Sequence, residues 1–222
     1  MSTQKNSSRL VVIGVVVAVI VALLIAVIFG SGESSDSTDW PFVPGASDAP
    51  SGDVEQNRPV MVEGQALDPL GDSAADPSIG APAPALLGAN FDGSSVNVTP
   101  GEGGPIMVVF LAHWCPHCNA EIPRLIEWQQ SGAVPLDLRV IGVSTGVASD
   151  RPNYPPSDWV VAKQWPWPVM ADSEGQDAAI AYGVSGYPFF AIVGADGTIK
   201  VRASGELEID ALNQIVTDAL AN

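Results

Sequence analysis

Phe110-Leu-Ala-His-Trp-Cys-Pro-His-Cys118 is the stretch on which the reading of this chain turns. It holds both cysteines of the protein, Cys115 and Cys118, and both histidines, His113 and His117. An apolar run from Ile106 to Leu111 precedes it, and a helical pattern from Asn119 to Gln130 follows. This predicts a strand ending near Ala112, a turn at Trp114 and a helix beginning near Cys115. Cys115 then lies at the first helical turn, where unpaired backbone N–H groups and the macrodipole favour negative charge. Cys118, three residues on, falls on the same face, close enough for a disulfide. Pro116 suits an early helical position, which has no N–H bond to lose. The stretch reads as a redox-active dithiol.

Three plainer readings compete with it. A structural disulfide between residues so close would staple only a tiny loop and stabilise little. Zinc needs four ligands, and His113, Cys115, His117 and Cys118 are too cramped to wrap one metal. Two idle thiols fit poorly at a helix N-terminus, which activates thiols. No metal or other cofactor is expected.

Outward from the motif, composition bounds the rest. The 222 residues suffice for one ordinary domain with appendages. A formal charge of −16 excludes nucleic acid as a partner, since that needs a basic face. The charge divides as +2 before residue 10, −9 over 30–78 and −9 over 79–222, so no segment forms a basic patch.

Leu10 to Phe29 is a run of twenty residues without charge or proline. As a helix it would be about 30 Å long, matching a bilayer core. Lys5 and Arg9 precede it, while Glu33, Asp36 and Asp39 follow, which places residues 1–9 in the cytoplasm and the rest outside. A cleaved signal peptide, with Gly30-Ser-Gly32 as its cleavage site, is the alternative, but the run is too long and uniform for one. The expectation is a transmembrane anchor over 10–29. Residues 30–78 are rich in Ser, Asp, Pro and Gly and read as a disordered acidic linker. Its 49 residues would span roughly 35–42 Å as a flexible chain. Within it, Pro59 to Glu63 is strand-like and suited to docking on the domain.

The folded domain is expected over 79–222. Strands are predicted at Ser95–Val98, Ile106–Leu111, Leu138–Val143 and Val169–Met170, and the uniformly apolar ones suit a sheet buried on both faces. Helices are predicted after Cys118, near Ser157–Gln164 with Ser157 as N-cap, over Glu174–Tyr182 and over Glu206–Leu220. Pro123 should kink the first of these. Phe189–Val193 and Ile199–Ala203, joined by Asp196-Gly197, read as a hairpin. The alternation gives an α/β domain with a mixed central sheet flanked by helices.

Taken together, these residues resemble the thioredoxin fold and, within it, the membrane-anchored TlpA/ResA-like thiol–disulfide oxidoreductases. The resemblance covers roughly 79–222. It rests on Gly80-Ala-Pro-Ala-Pro84 with Asp92-Gly93, on Val108 to Cys118 followed by Glu121-Ile-Pro123, and on Tyr182-Gly-Val-Ser-Gly-Tyr-Pro188. It implies a cis-proline at Pro188 beside the dithiol, with Trp114, Tyr187 and Pro188 forming the substrate-binding face. Cys115 and Cys118 would be the catalytic pair, Cys115 attacking and Cys118 resolving. Pro116 and His117 would tune them, and the Pro-His pair is similar to that of DsbA-type oxidases.

The departures are informative. Thioredoxins proper carry an acid six residues before the first cysteine, where this chain has Val109. Glu121 is the nearest substitute for helping Cys118 lose its proton, with an ordinary solvated acid as the alternative reading. His117 has the same alternative, and His113 reads as a rim residue. The peroxidase pattern P-x-x-x-[T/S]-x-x-C meets Val108 and Ala112 instead, and a copper-handling module lacks a distal histidine. The resemblance therefore implies a membrane-tethered extracytoplasmic oxidoreductase leaning towards oxidation of client thiols. The reverse, reduction of extracytoplasmic disulfides such as apocytochrome haem-site cysteines, is the alternative. Its partners would be thiol- or disulfide-bearing proteins and a membrane redox protein that resets the dithiol.

Overall fold

The computed structural model describes residues 53–71 and 75–221. The anchor expected over Leu10–Phe29 and the first part of the expected linker lie outside the described residues. Among the described residues, no helix is long and apolar enough to cross a membrane.

The strands are β1 (Met61–Glu63), β2 (Ala85–Ala89), β3 (Ser95–Val98), β4 (Ile106–Leu111), β5 (Arg139–Ser144), β6 (Val169–Ala171), β7 (Phe189–Val193) and β8 (Ile199–Ser204). The helices are α1 (Pro116–Gln130), α2 (Pro156–Ala162), α3 (Asp177–Ala181) and α4 (Ile209–Leu220). The sheet runs β1-β2-β6-β5-β4-β7-β8, with β3 also paired to β2. β4, β5 and β6 are mutually parallel, whereas β7 is antiparallel to β4 and β8 to β7. This is the mixed sheet of a thioredoxin-like α/β fold.

β4 explains why the motif sits where it does. All six of its residues are buried, and they alternate between two cores. Ile106, Val108 and Phe110 join Tyr182, Phe189 and Ala191 on one face. Met107, Val109 and Leu111 join Cys118, Ile122, Trp128 and Phe190 on the other. A strand buried on both faces needs a continuous apolar run, and the run's end fixes the turn that carries Cys115. Trp128 anchors α1 against α4 by donating from Nε1 to Asn213 Oδ1 at 2.6 Å. Pro123 lies inside α1, which is continuous across it.

Three elements differ from expectation. β2 had no period-two signal, because Ala-Leu-Leu-Gly-Ala is small and uniformly apolar; it forms by pairing with β1, β3 and β6. α2 starts at Pro156 with Pro155 as N-cap, not Ser157, since proline suits the first helical position. The Ser157 N–H is instead met by Gln56 Oε1 at 3.0 Å. α3 is shorter than predicted because Gln176, just before it, adopts a left-handed φ of 61°.

The folded unit also takes in more chain than the composition change at Ile79 suggests. β1 pairs with β2 as a strand, and Leu67 and Leu70 donate backbone bonds to Ala181 and Gly183. Arg202 of β8, buried, then clamps Asp68, Asp76 and Ser78. Its Nε and Nη2 bind the Asp76 carboxylate at 2.9 and 2.6 Å, and its Nη1 binds Asp68 O at 2.8 Å. That pairing holds the Asp76 carboxyl below the usual carboxylate range. A polar segment that could not order itself is ordered by a neighbour's charge and by a sheet edge.

Candidate active site

Cys115 is the N-cap of α1 and Pro116 its first residue, so the helix opens directly at the sulfur. The N-terminal N–H groups of α1 have no intrahelical acceptor there and point towards that end of the helix. Cys115 is 6% exposed and Cys118 fully buried, and both are free thiols. The Cys115 thiol donates to Tyr187 O at 3.5 Å, across 72 residues of chain. The Tyr187–Pro188 peptide bond is cis. Burial pushes the Cys118 thiol far up, and the nearby Cys115 and Glu121 add to it against an opposing bond at Ala112. The two sulfurs are thus unequal: one at the surface end of a helix dipole, one sealed beneath it.

Trp114 and Tyr187 flank Cys115 and meet edge to face, with ring centroids 6.1 Å apart. The Trp114 indole donates to Gly146 O at 2.7 Å, and the Arg151 guanidinium lies 5.5 Å from the centre of its ring. The Tyr187 hydroxyl donates to Gln176 Oε1 at 3.1 Å. Gly146 has a left-handed φ of 61°, and a Cβ there would stand 3.3 Å from the Tyr187 hydroxyl, so glycine lets loop and ring approach.

His117 is exposed, and its hydrogen-bond partner is Glu206 Oε1, at 2.7 Å from Nδ1, rather than either sulfur. The other Glu206 oxygen accepts from Arg124 at 2.6 Å, and Arg124 also reaches Glu121 Oε2 at 3.2 Å. These partners hold the Glu206 carboxyl below its ordinary value, Arg124 first and His117 second. Glu121 itself is fully buried, which overturns the solvated reading of that residue. Its Oε2 also accepts the Leu207 N–H at 3.1 Å, while Oε1 has no hydrogen-bond partner among the described residues. Burial raises the Glu121 carboxyl above its ordinary value, partly offset by Leu207 and Arg124.

His113, read from sequence as a rim residue, is fully buried. Its Nδ1 lies 2.8 Å from Pro152 O and its Nε2 accepts the Ala148 N–H at 3.2 Å. Glu206 and His113 are what sequence reasoning missed. Glu206 stands 89 residues from His117 and gives no local signal. His113 lies in the turn after β4 and is enclosed by a loop more than thirty residues on, which gives no local signal either.

The AhpC/TSA family model matches residues 79–202. The soluble secreted antigen MPT53 of Mycobacterium tuberculosis is 32% identical over 126 residues, covering 56% of this chain and 65% of that protein. The thiol:disulfide interchange protein HelX of Rhodobacter capsulatus is 26% identical over 120 residues, covering 54% and 63%. The matched stretches cover less than two thirds of these curated relatives' own lengths. Among solved structures, a thiol:disulfide interchange protein of the thioredoxin family from Chlorobium tepidum TLS superposes with a TM-score of 0.52 at 24% identity, covering 63% of this chain and 96% of that one. At that identity the likeness shows the fold.

Proposed function

The chain belongs to the AhpC/TSA family, and from that premise we propose that it is a thiol–disulfide oxidoreductase working through Cys115 and Cys118. One observation carries the reading: a partly accessible Cys115 at a helix N-terminus, bonded to the carbonyl before a cis-proline, over a buried Cys118. In the oxidising direction a client thiolate attacks Cys115 Sγ of the disulfide, and Cys118 leaves and takes up a proton. A second client thiol then attacks the client sulfur of the mixed disulfide and releases Cys115 as thiolate. The client gains a disulfide, and the enzyme ends as a dithiol.

Client oxidation is the direction we favour. Val109 stands in β4 where thioredoxins proper carry an acid, and a helix N-terminus beside Cys115 would stabilise the reduced form. The reductase reading has an observation of its own. In that direction Cys118 must lose its proton to resolve the mixed disulfide, and Glu121, buried one helical turn on with Oε1 unbonded among the described residues, would accept it. Trp114, Tyr187 and Pro188 form the face that meets the client, whose extended backbone would run beside Tyr187. A membrane anchor over Leu10–Phe29, an extracytoplasmic domain and a membrane partner that resets the dithiol complete the proposal, supported by the charge asymmetry of the run.

The reduction potential of the full chain, equilibrated with glutathione, tests the direction. A value nearer DsbA's, about −120 mV, than thioredoxin's, about −270 mV, is expected. A thioredoxin-like value would leave the exchange chemistry standing and reverse the assignment. A mature N-terminus at or after Gly30 would replace the anchor with a signal peptide.

A further inference from the structure

We propose that His113 is a positioning residue, whose neutral ring fixes the Thr145–Pro155 loop as one wall of the client-binding face beside Cys115. The inference rests on the oxidoreductase reading above. Its starting point is that the ring's tautomer follows from its partners. Ala148 offers a backbone N–H, so Nε2 must present a lone pair. Pro152 offers a carbonyl, so Nδ1 must carry the proton. A second proton would turn Nε2 into a donor facing a donor.

What the ring holds is specific. Among the described residues, the four hydrogen bonds that residues 146–153 make to the rest of the fold all end on His113 or Trp114. Two go to the His113 ring. A third runs from Asn153 Nδ2 to His113 O at 2.9 Å, and the last is the Trp114 indole on Gly146 O. The edge of Tyr154 packs on the ring with centroids 6.0 Å apart. Asp150 to Tyr154 are exposed, yet the loop is tied down at the motif itself. It then places Arg151 over Trp114 and Gly146 against Tyr187, the two aromatic rings that flank the reactive sulfur. His113 touches no reacting atom. It acts through the loop, so its loss changes how a client is seated and leaves the dithiol couple alone.

The experiment compares full-length wild type with His113→Leu and with Asn153→Gly. The second removes only the Asn153 side-chain bond, at a residue whose φ of 62° suits glycine. Three quantities are read: the glutathione equilibrium, KM and kcat for a synthetic two-cysteine peptide, and hydrogen exchange at the Ala148 amide. In His113→Leu, Ala148 exchange should quicken by about tenfold or more, the scale of one lost hydrogen bond. KM should rise several-fold, with kcat and the glutathione equilibrium unchanged. Asn153→Gly should raise KM in the same direction by less, which keeps the test alive if His113→Leu fails to fold. Unchanged KM in both variants overturns the proposal, as does an altered glutathione equilibrium at constant KM. A wild type that does not equilibrate with glutathione overturns the oxidoreductase reading instead, and this inference with it.

Discussion

Two histidines four residues apart in one motif have opposite surroundings. His113 lies in the turn after the buried strand β4 and spends both ring nitrogens on backbone groups of a loop. His117 stands on the first turn of α1, exposed, with its Nδ1 on a carboxylate that also binds Arg124. One side of the dithiol is therefore held by neutral hydrogen bonds in a dry site and the other by charges in solvent. The first kind of contact sets shape and stability; the second is screened and adds little stability. The comparison teaches that position on the strand–helix junction, rather than distance from the cysteines along the chain, decides what a histidine does.

The dithiol is common to both sides, and removing it should have the largest effect. Cys115→Ser should abolish exchange with glutathione and with peptides. Cys118→Ser should stop turnover but accumulate a mixed disulfide at Cys115, seen as a mass increase under non-reducing conditions. Accumulation at residue 118 in Cys115→Ser instead would reverse the roles of the two sulfurs.

Stability should separate the two histidines next. His113→Leu removes two hydrogen bonds from a buried ring to the part-exposed Ala148 and the exposed Pro152, a loss of about 1–2 kcal/mol. His117→Ala removes an exposed contact and should leave Tm unchanged. The pH profile sharpens the contrast. Burial lowers the folded-state value of His113 below its ordinary one, so the unfolded chain binds the proton more readily. Wild-type stability should then fall as pH drops below about 6.5, the unfolded value, and continue to fall to the lower folded one. His113→Leu should lose this dependence and His117→Ala keep it. Equal Tm losses in the two variants would erase the distinction.

This contrast also marks what was legible in the sequence. The cysteine pair, β4 and the β7–β8 hairpin announce themselves, because each is encoded locally by apolar runs, turn residues or a helix start, while the cis Pro188 came from the resemblance. β2 and the ordering of residues 53–71 were not, since both depend on partners far along the chain. Arg202 and Asp76, 126 residues apart, are the clearest case. Burial of Glu121 and His113 was hidden for the same reason: α4's leading segment covers the one and the Thr145–Pro155 loop the other. A charged or polar residue reads as surface until something distant encloses it.

Glu121 lies between the two regimes, a charge-bearing group in a dry site. Its folded-state value is raised, so its ionised form destabilises the fold above that value. Glu121→Gln should match wild type at pH near 4, where the unfolded carboxyl is half protonated, and exceed it in Tm as pH rises. The same change should slow resolution by Cys118, by up to about a hundredfold if Glu121 is its proton acceptor. Higher stability with undiminished exchange would make Glu121 a structural acid only.

The smallest effect expected is the shift in potential set by His117. A cationic ring near Cys115 would stabilise the reduced form, so His117→Ala should lower the potential. A fall on the order of 30 mV corresponds to about tenfold in the glutathione equilibrium for a two-electron couple. Glu206 gives the direction a second check. It holds His117 at 2.7 Å and shares itself with Arg124, so Glu206→Gln removes a negative charge from the pair and loosens the ring at once. If the ring acts on the sulfur from where Glu206 holds it, Glu206→Gln should lower the potential as His117→Ala does, and the double variant should add nothing. If Glu206 instead draws the ring away, Glu206→Gln should raise the potential, and adding His117→Ala to it should cancel that rise. Both shifts should shrink in high salt, because the pair is exposed. Should neither single variant move the potential at low salt, His117 is a bystander, and the helix N-terminus alone sets the poise of Cys115.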